Sequence, residues 1–93
     1  MAKLDWTTTL TTGAGGILTV EAGVIAGEVT LQTFWSDSDN KALVTVRDNQ
    51  IREWYTISGS PVDAKSEEVG KAVHEAAVHA ARQGGAAVVA PTG

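Results

Sequence analysis

The chain contains no cysteine, two prolines and one methionine. Without cysteine there is no disulfide framework, no thiolate nucleophile and no Cys-ligated zinc. Basic residues are also scarce. Seven Lys and Arg stand against eleven Asp and Glu, giving a net charge of −4. A duplex-DNA binder draws most of its affinity from phosphate neutralisation, and no basic footprint of that kind is present. No stretch approaches the ~20 apolar residues of a membrane-spanning helix. The N-terminal MAKLDWTTTLTT lacks the apolar core of about 7–15 residues found in secretory signals. These absences lead us to expect a cytoplasmic protein with no membrane partner.

What is present is enough for one small folded domain. At 93 residues the chain forms a single core, burying roughly 60–65% of its unfolded surface. Its hydrophobic fraction, 43%, is too high for an intrinsically disordered segment.

The first 58 residues read as β-structure, rich in Thr, Val, Ile and Trp and interrupted by Gly or Asp/Asn clusters. In LDWTTTLTT (4–12), Leu4, Trp6, Thr8 and Leu10 alternate with Asp5, Thr7, Thr9 and Thr11. The glycines of GAGG (13–16) mark a turn, and ILTVEA (17–22) reads as a second short strand. AGVIAG (22–27) reads as a turn or a bulged continuation. In EVTLQTFW (28–35), Val29, Leu31, Thr33 and Trp35 share one face, and Glu28, Thr30, Gln32 and Phe34 the other. SDSDN (36–40) is a polar loop. KALVTVRD (41–48) sets Ala42, Val44 and Val46 against Lys41, Leu43, Thr45 and Arg47. QIREWYTIS (50–58) places Ile51, Tyr55 and Ile57 opposite Arg52 and Trp54, after a turn at Asp48–Asn49.

From residue 62 to 83 the period becomes helical. Ser60 is the expected N-cap and Pro61 the first helical residue. Val69, Ala72, Val73, Ala76, Ala77 and Ala80 form the apolar stripe. Gly84–Gly85 ends the helix. The expected fold class is α+β: an antiparallel sheet of four to five strands, then one amphipathic helix packed on one face. Residues 1–85 form the domain and 86–93 a flexible tail.

One helix covers one sheet face. The other face carries Phe34, Leu43 and Trp54, with Ile17 and Leu10 as further candidates. A soluble monomer rarely leaves such a patch open, so the sheet either curls into a partial barrel or meets a second copy. Homo-oligomerisation is the favoured expectation, with an unidentified protein partner also open.

HEAAVH (74–79) resembles the H-E-x-x-H zinc pair with one residue too many. A spacing of five puts His74 and His79 about 140° apart on a helix, so they cannot share one ion. Glu67, Lys71, Glu75 and His79 instead step at i, i+4 along a solvated surface, with His74 beside them. His74, Glu75 and His79 are therefore expected to serve, if at all, in proton transfer or partner contact. An acid–base or metal-dependent enzyme using this cluster is the weakest reading. DSDN (37–40) lacks the glycine and distal glutamate of a calcium loop, and neither GAGGIL nor QGGAA is a phosphate-binding loop. No nucleophile with an adjacent base is evident. No catalytic residue, metal ligand or cofactor is assigned.

Phe34 and Trp54 beside Arg47 and Arg52 suggest a stacking platform for single-stranded nucleic acid. The negative net charge disfavours that reading. The favoured one is a non-enzymatic interaction, assembly or regulatory module that self-associates through its sheet. Its contact residues are Phe34, Leu43, Arg47, Arg52 and Trp54.

Overall fold

In a computed structural model, which describes residues 2–88, seven strands precede one helix. The strands are β1 (Lys3–Thr11), β2 (Ile17–Thr19), β3 (Gly23–Ile25), β4 (Glu28–Ser36), β5 (Lys41–Asp48), β6 (Glu53–Thr56) and β7 (Val62–Asp63); the helix is α1 (Glu67–Gln83). The main sheet is antiparallel and runs β1–β4–β5–β6, with β7 pairing the start of β5. β2 and β3 form a separate hairpin. The α+β expectation holds, with this small second sheet added.

Alternation in the sequence fixes the faces of the long strands. Leu10, Val29, Leu31, Trp35, Ala42, Val44 and Val46 are buried on the inner face, under α1. Each buried Val, Leu or Ile contributes about 1.5–3 kcal/mol by removal from water. Ile17 and Leu10 belong to this core and not to the outer face.

The hairpin between β4 and β5 turns through Asp37–Asn40. Asn40 takes a left-handed conformation (φ 50°), and its amide donates to the Ser36 carbonyl at 3.0 Å. Asp37 accepts from the Ala2 amide at 2.9 Å, which ties the loop to the start of β1.

Three local expectations are corrected. First, the strand expected over 50–58 is shorter. Residues 49–52 form a turn in which the Arg52 amide donates to the Asp48 carbonyl at 2.7 Å, with Arg52 at φ 59°. Ile51 is thereby left exposed at the turn. Second, AGVIAG is neither a turn throughout nor a bulged continuation of β2, since its residues 23–25 form strand β3, which pairs back on β2. Third, the helix begins later than Ser60 and Pro61 suggest. Ser66 is the N-cap; its Oγ accepts from the Val69 amide at 3.3 Å, and Glu67 and Glu68 occupy the first turn. The Ser60 hydroxyl is already engaged, accepting from the Val44 amide at 2.6 Å. Val62 then pairs with Ala42 as part of β7.

The C-terminal boundary also differs. Ala86 bridges Ile17 in parallel, the Leu18 amide donates to the Ala86 carbonyl at 2.8 Å, and the Val88 amide donates to the Ser58 carbonyl at 2.8 Å. Residues 86–88 belong to the fold. The rest of the expected tail, 89–93, lies outside the described residues.

The helix buries Gly70, Val73, His74, Ala77, Val78 and Ala81. This is the expected stripe displaced by one residue throughout, a rotation of about 100°. Glycine at position 70 lets the helix approach the Trp35 ring. A Cβ there would lie 3.1 Å from the ring's Cγ. The indole cannot yield easily, since its Nε1 donates to the Ala64 carbonyl at 2.9 Å. Gly70→Ala should therefore forfeit the ~1 kcal/mol that alanine normally adds to a helix. It should destabilise the domain by about 1 kcal/mol through overpacking. A urea titration showing a more stable variant would contradict this.

Candidate interaction face

The register of the main sheet sets the layout of its outer face. Phe34 stands directly opposite Leu43, and Arg47 opposite Trp54. Between these pairs lies a polar band. Gln32 Nε2 donates to Asp5 at 2.7 Å, and Thr45 Oγ1 donates to the Gln32 carbonyl at 2.8 Å. Thr9 and Thr30 hydroxyls meet at 2.9 Å, and Arg47 donates to Asn49 Oδ1 at 3.0 Å. Phe34, Leu43 and Trp54 are 42%, 37% and 48% exposed.

The β2–β3 hairpin continues this face. Thr19 bridges Ile57, both turned inward, so their neighbours Leu18 and Val20 turn outward. Val24 stands opposite Leu18 and shares its side. Among the described residues there are seven large exposed hydrophobic residues, and six of them (Leu18, Val20, Val24, Phe34, Leu43 and Trp54) fall on the side away from α1. The seventh is Ile51 in the β5–β6 turn. The hairpin enters this face in the opposite phase to the expected one: Ile17 is buried, and Leu18 and Val20, which alternate with it, are exposed.

A shallow groove of about 430 Å³ runs between Phe34 and Trp54, floored by Thr45 and Thr56 and flanked by Glu21. Arg52 does not join this face, since it sits in the turn. Phe34, Leu43, Arg47 and Trp54 are thus brought together, and Arg52 is not.

The helix cluster is not one site. His74 is 4% exposed and lies against the sheet, whereas Glu75 and His79 are exposed. The expectation that His74 faces water is corrected. Its ring bridges two strands: Thr8 Oγ1 lies 2.9 Å from Nε2, and Thr33 Oγ1 lies 2.7 Å from Nδ1. A neutral imidazole has one donor and one acceptor, so one threonine accepts a hydrogen bond from it and the other donates. Burial lowers the His74 pKa below 6.5, and the neighbouring Glu75 carboxylate pulls weakly the other way. His79 is paired with Gln83 Nε2 at 3.0 Å. Among the described residues, no group of three or more His, Cys, Asp or Glu is placed to hold a metal ion.

The rotated helix leaves a second apolar concavity of about 570 Å³, lined by Val69, Ala72, Ala76, Ala80, Ala87 and Val88. Among the described residues, no helix is long and apolar enough to cross a membrane. The chain matches no known protein family, and no curated protein or solved structure is significantly similar to it.

Proposed function

We propose that this protein is a small non-enzymatic module of the cytoplasm that self-associates through its sheet, serving assembly or regulation. The observation that carries this reading is the gathering of six large exposed hydrophobic residues on the one sheet face that α1 leaves uncovered. Exposed large apolar side chains gathered on one uncovered face, here divided by a polar band, support an interaction site. Aromatic anchors such as Phe34 and Trp54 suit the centre of an interface. The non-enzymatic assignment is supported by His74, whose two ring nitrogens are both engaged by threonines.

Single-stranded nucleic acid is the less favoured ligand. The Arg47–Trp54 pair supports it, but Asp5, Glu21 and Glu28 lie around the face and repel phosphate.

Light scattering tests the proposal. The protein should be larger than a monomer at about 100 μM, and Phe34→Glu with Trp54→Glu should weaken association at least tenfold. A monomer at that concentration refutes it. Salt-sensitive oligonucleotide binding that is lost with Trp54→Ala would favour the nucleic-acid reading instead.

A further inference from the structure

The two edges of the main sheet are treated differently. On the β6–β7 side the open backbone groups find partners. Glu21 accepts from the Thr56 amide at 3.1 Å, and the Val20 amide donates to the Thr56 carbonyl at 2.9 Å. The Ser58 amide donates to the Leu18 carbonyl at 2.9 Å, and Ser60 takes the Val44 amide. On the other side β1 carries no such cover among the described residues. It is nine residues long with no proline, and its only charges are Lys3 and Asp5. Long, flat, uncapped edges are templates for strand pairing.

The phase of the β1–β4 ladder shows which groups are open. At one end the Asp37 amide donates to the Ala2 carbonyl; at the other the Thr12 amide donates to the Gly27 carbonyl at 2.9 Å. Hydrogen-bonded pairs alternate along an antiparallel ladder, so the even-numbered residues of β1 bond to β4. The backbone N–H and C=O groups of Lys3, Asp5, Thr7, Thr9 and Thr11 therefore point away from the sheet. Thr7 is both the midpoint of the strand and one of these open residues.

We infer that β1 pairs with β1 of a second copy, antiparallel about a two-fold axis at Thr7. This rests on the reading of the protein as self-associating, but not on the outer face. Full overlap centred on Thr7 sets Asp5 against the partner's Thr9 and Lys3 against the partner's Thr11. The charged half of the strand meets the uncharged half, so no like charges oppose each other. The five open residues exchange about ten backbone bonds. On the inner side, half-buried Leu4 and Trp6 meet the partner's Leu10 and Thr8, completing a burial that the single chain leaves unfinished. A different protein would need an equally long open strand with the matching face pattern; a second copy supplies it. The product is one continuous sheet with both helices on the same side.

Amide hydrogen exchange, measured beside molecular mass at about 10 μM and about 1 mM, tests this. The amides of Asp5, Thr7 and Thr9 should gain at least tenfold protection as the dimer forms. Those of Trp6 and Thr8 stay protected throughout by β4. Thr7→Pro, which removes only an outward N–H, should lose the concentration-dependent protection of Asp5 and Thr9, while Thr7→Val should keep it. A dimer whose Thr7 and Thr9 amides exchange freely overturns the edge pairing and leaves the outer-face reading intact. A monomer at both concentrations overturns both.

Discussion

Replacing Gly84 by alanine should cost about 3–5 kcal/mol, whereas the same change at neighbouring Gly85 should cost about 1 kcal/mol. Both glycines have positive φ, 91° and 74°. Their surroundings differ. A Cβ on Gly84 would run into the backbone nitrogen of Gly15 and approach Gly13 carbonyl carbon at 2.9 Å, while one on Gly85 meets nothing within 4 Å. Gly84 also has ψ 157°, a combination with φ 91° that is essentially closed to residues bearing a Cβ. Its amide donates to the Ala80 and Ala81 carbonyls, so the strained geometry is part of the helix stop. The two glycine-rich runs, GAGG and QGGAA, thus exist for one another, backbone against backbone. For a domain of this size each kcal/mol moves the melting temperature by about 4–8 °C. Gly84→Ala should therefore melt some tens of degrees lower (roughly 12–40 °C), and Gly85→Ala only slightly lower. Equal melting temperatures for the two variants would show that the close approach is not what position 84 requires.

The second large effect concerns His74. His74→Ala removes the partner of two threonine hydroxyls, one of them on fully buried Thr33. Leaving that group unsatisfied and opening a cavity should cost about 2–4 kcal/mol. The same residue should make wild-type stability depend on pH. Burial holds the His74 pKa below 6.5 in the folded state, so between the two values the unfolded chain binds more protons. The contribution is complete above pH 6.5 and is lost as pH falls through the folded-state pKa. A charged imidazole could still donate to both hydroxyls; the penalty is the burial of its charge. Urea titrations at pH 7.5 and 5.5, about one unit either side of 6.5, should show the gap between wild type and His74→Ala narrowing in acid. A gap that is constant or wider in acid would rule this out.

Much of the architecture was legible because it rests on a period of two. The inward sets of β1, β4 and β5 follow directly from alternation in the sequence. The outer-face cluster of Phe34, Leu43, Arg47 and Trp54 follows from the same rule. The helix was harder to phase. Alanines flank both sides of its stripe, and a methyl group adds little weight to either side. A shift of one residue therefore changes the apolar sum only slightly while rotating the buried face by about 100°. A better clue lay in the strands. Thr8 and Thr33 are lone hydroxyls on otherwise apolar inward faces. Buried hydroxyls need partners, and His74 is the side chain that supplies one to each. Ser60 misled for a non-local reason: its hydroxyl serves β5, which no neighbouring residue discloses. Arg52 and Ile51 were misplaced because Asp48 closes a longer turn, through its carbonyl and its side chain.

The pairing of Ala86 with Ile17 bears on how the protein is made. The bridge joins residues near opposite ends of the chain, and Leu18 is held by Ala86 and Ser58 together. Contacts so distant in sequence form slowly, because a long loop must close before they stabilise anything. The β2–β3 hairpin can meet residues 56–58 before residue 86 is made, but the Leu18 amide gains its Ala86 partner only afterwards. A nascent or truncated chain ending before residue 86 would leave the Leu18 amide and the Ser58 carbonyl without their partners, a local opening beside the covered β6 edge, and aggregation during synthesis is the hazard this arrangement creates.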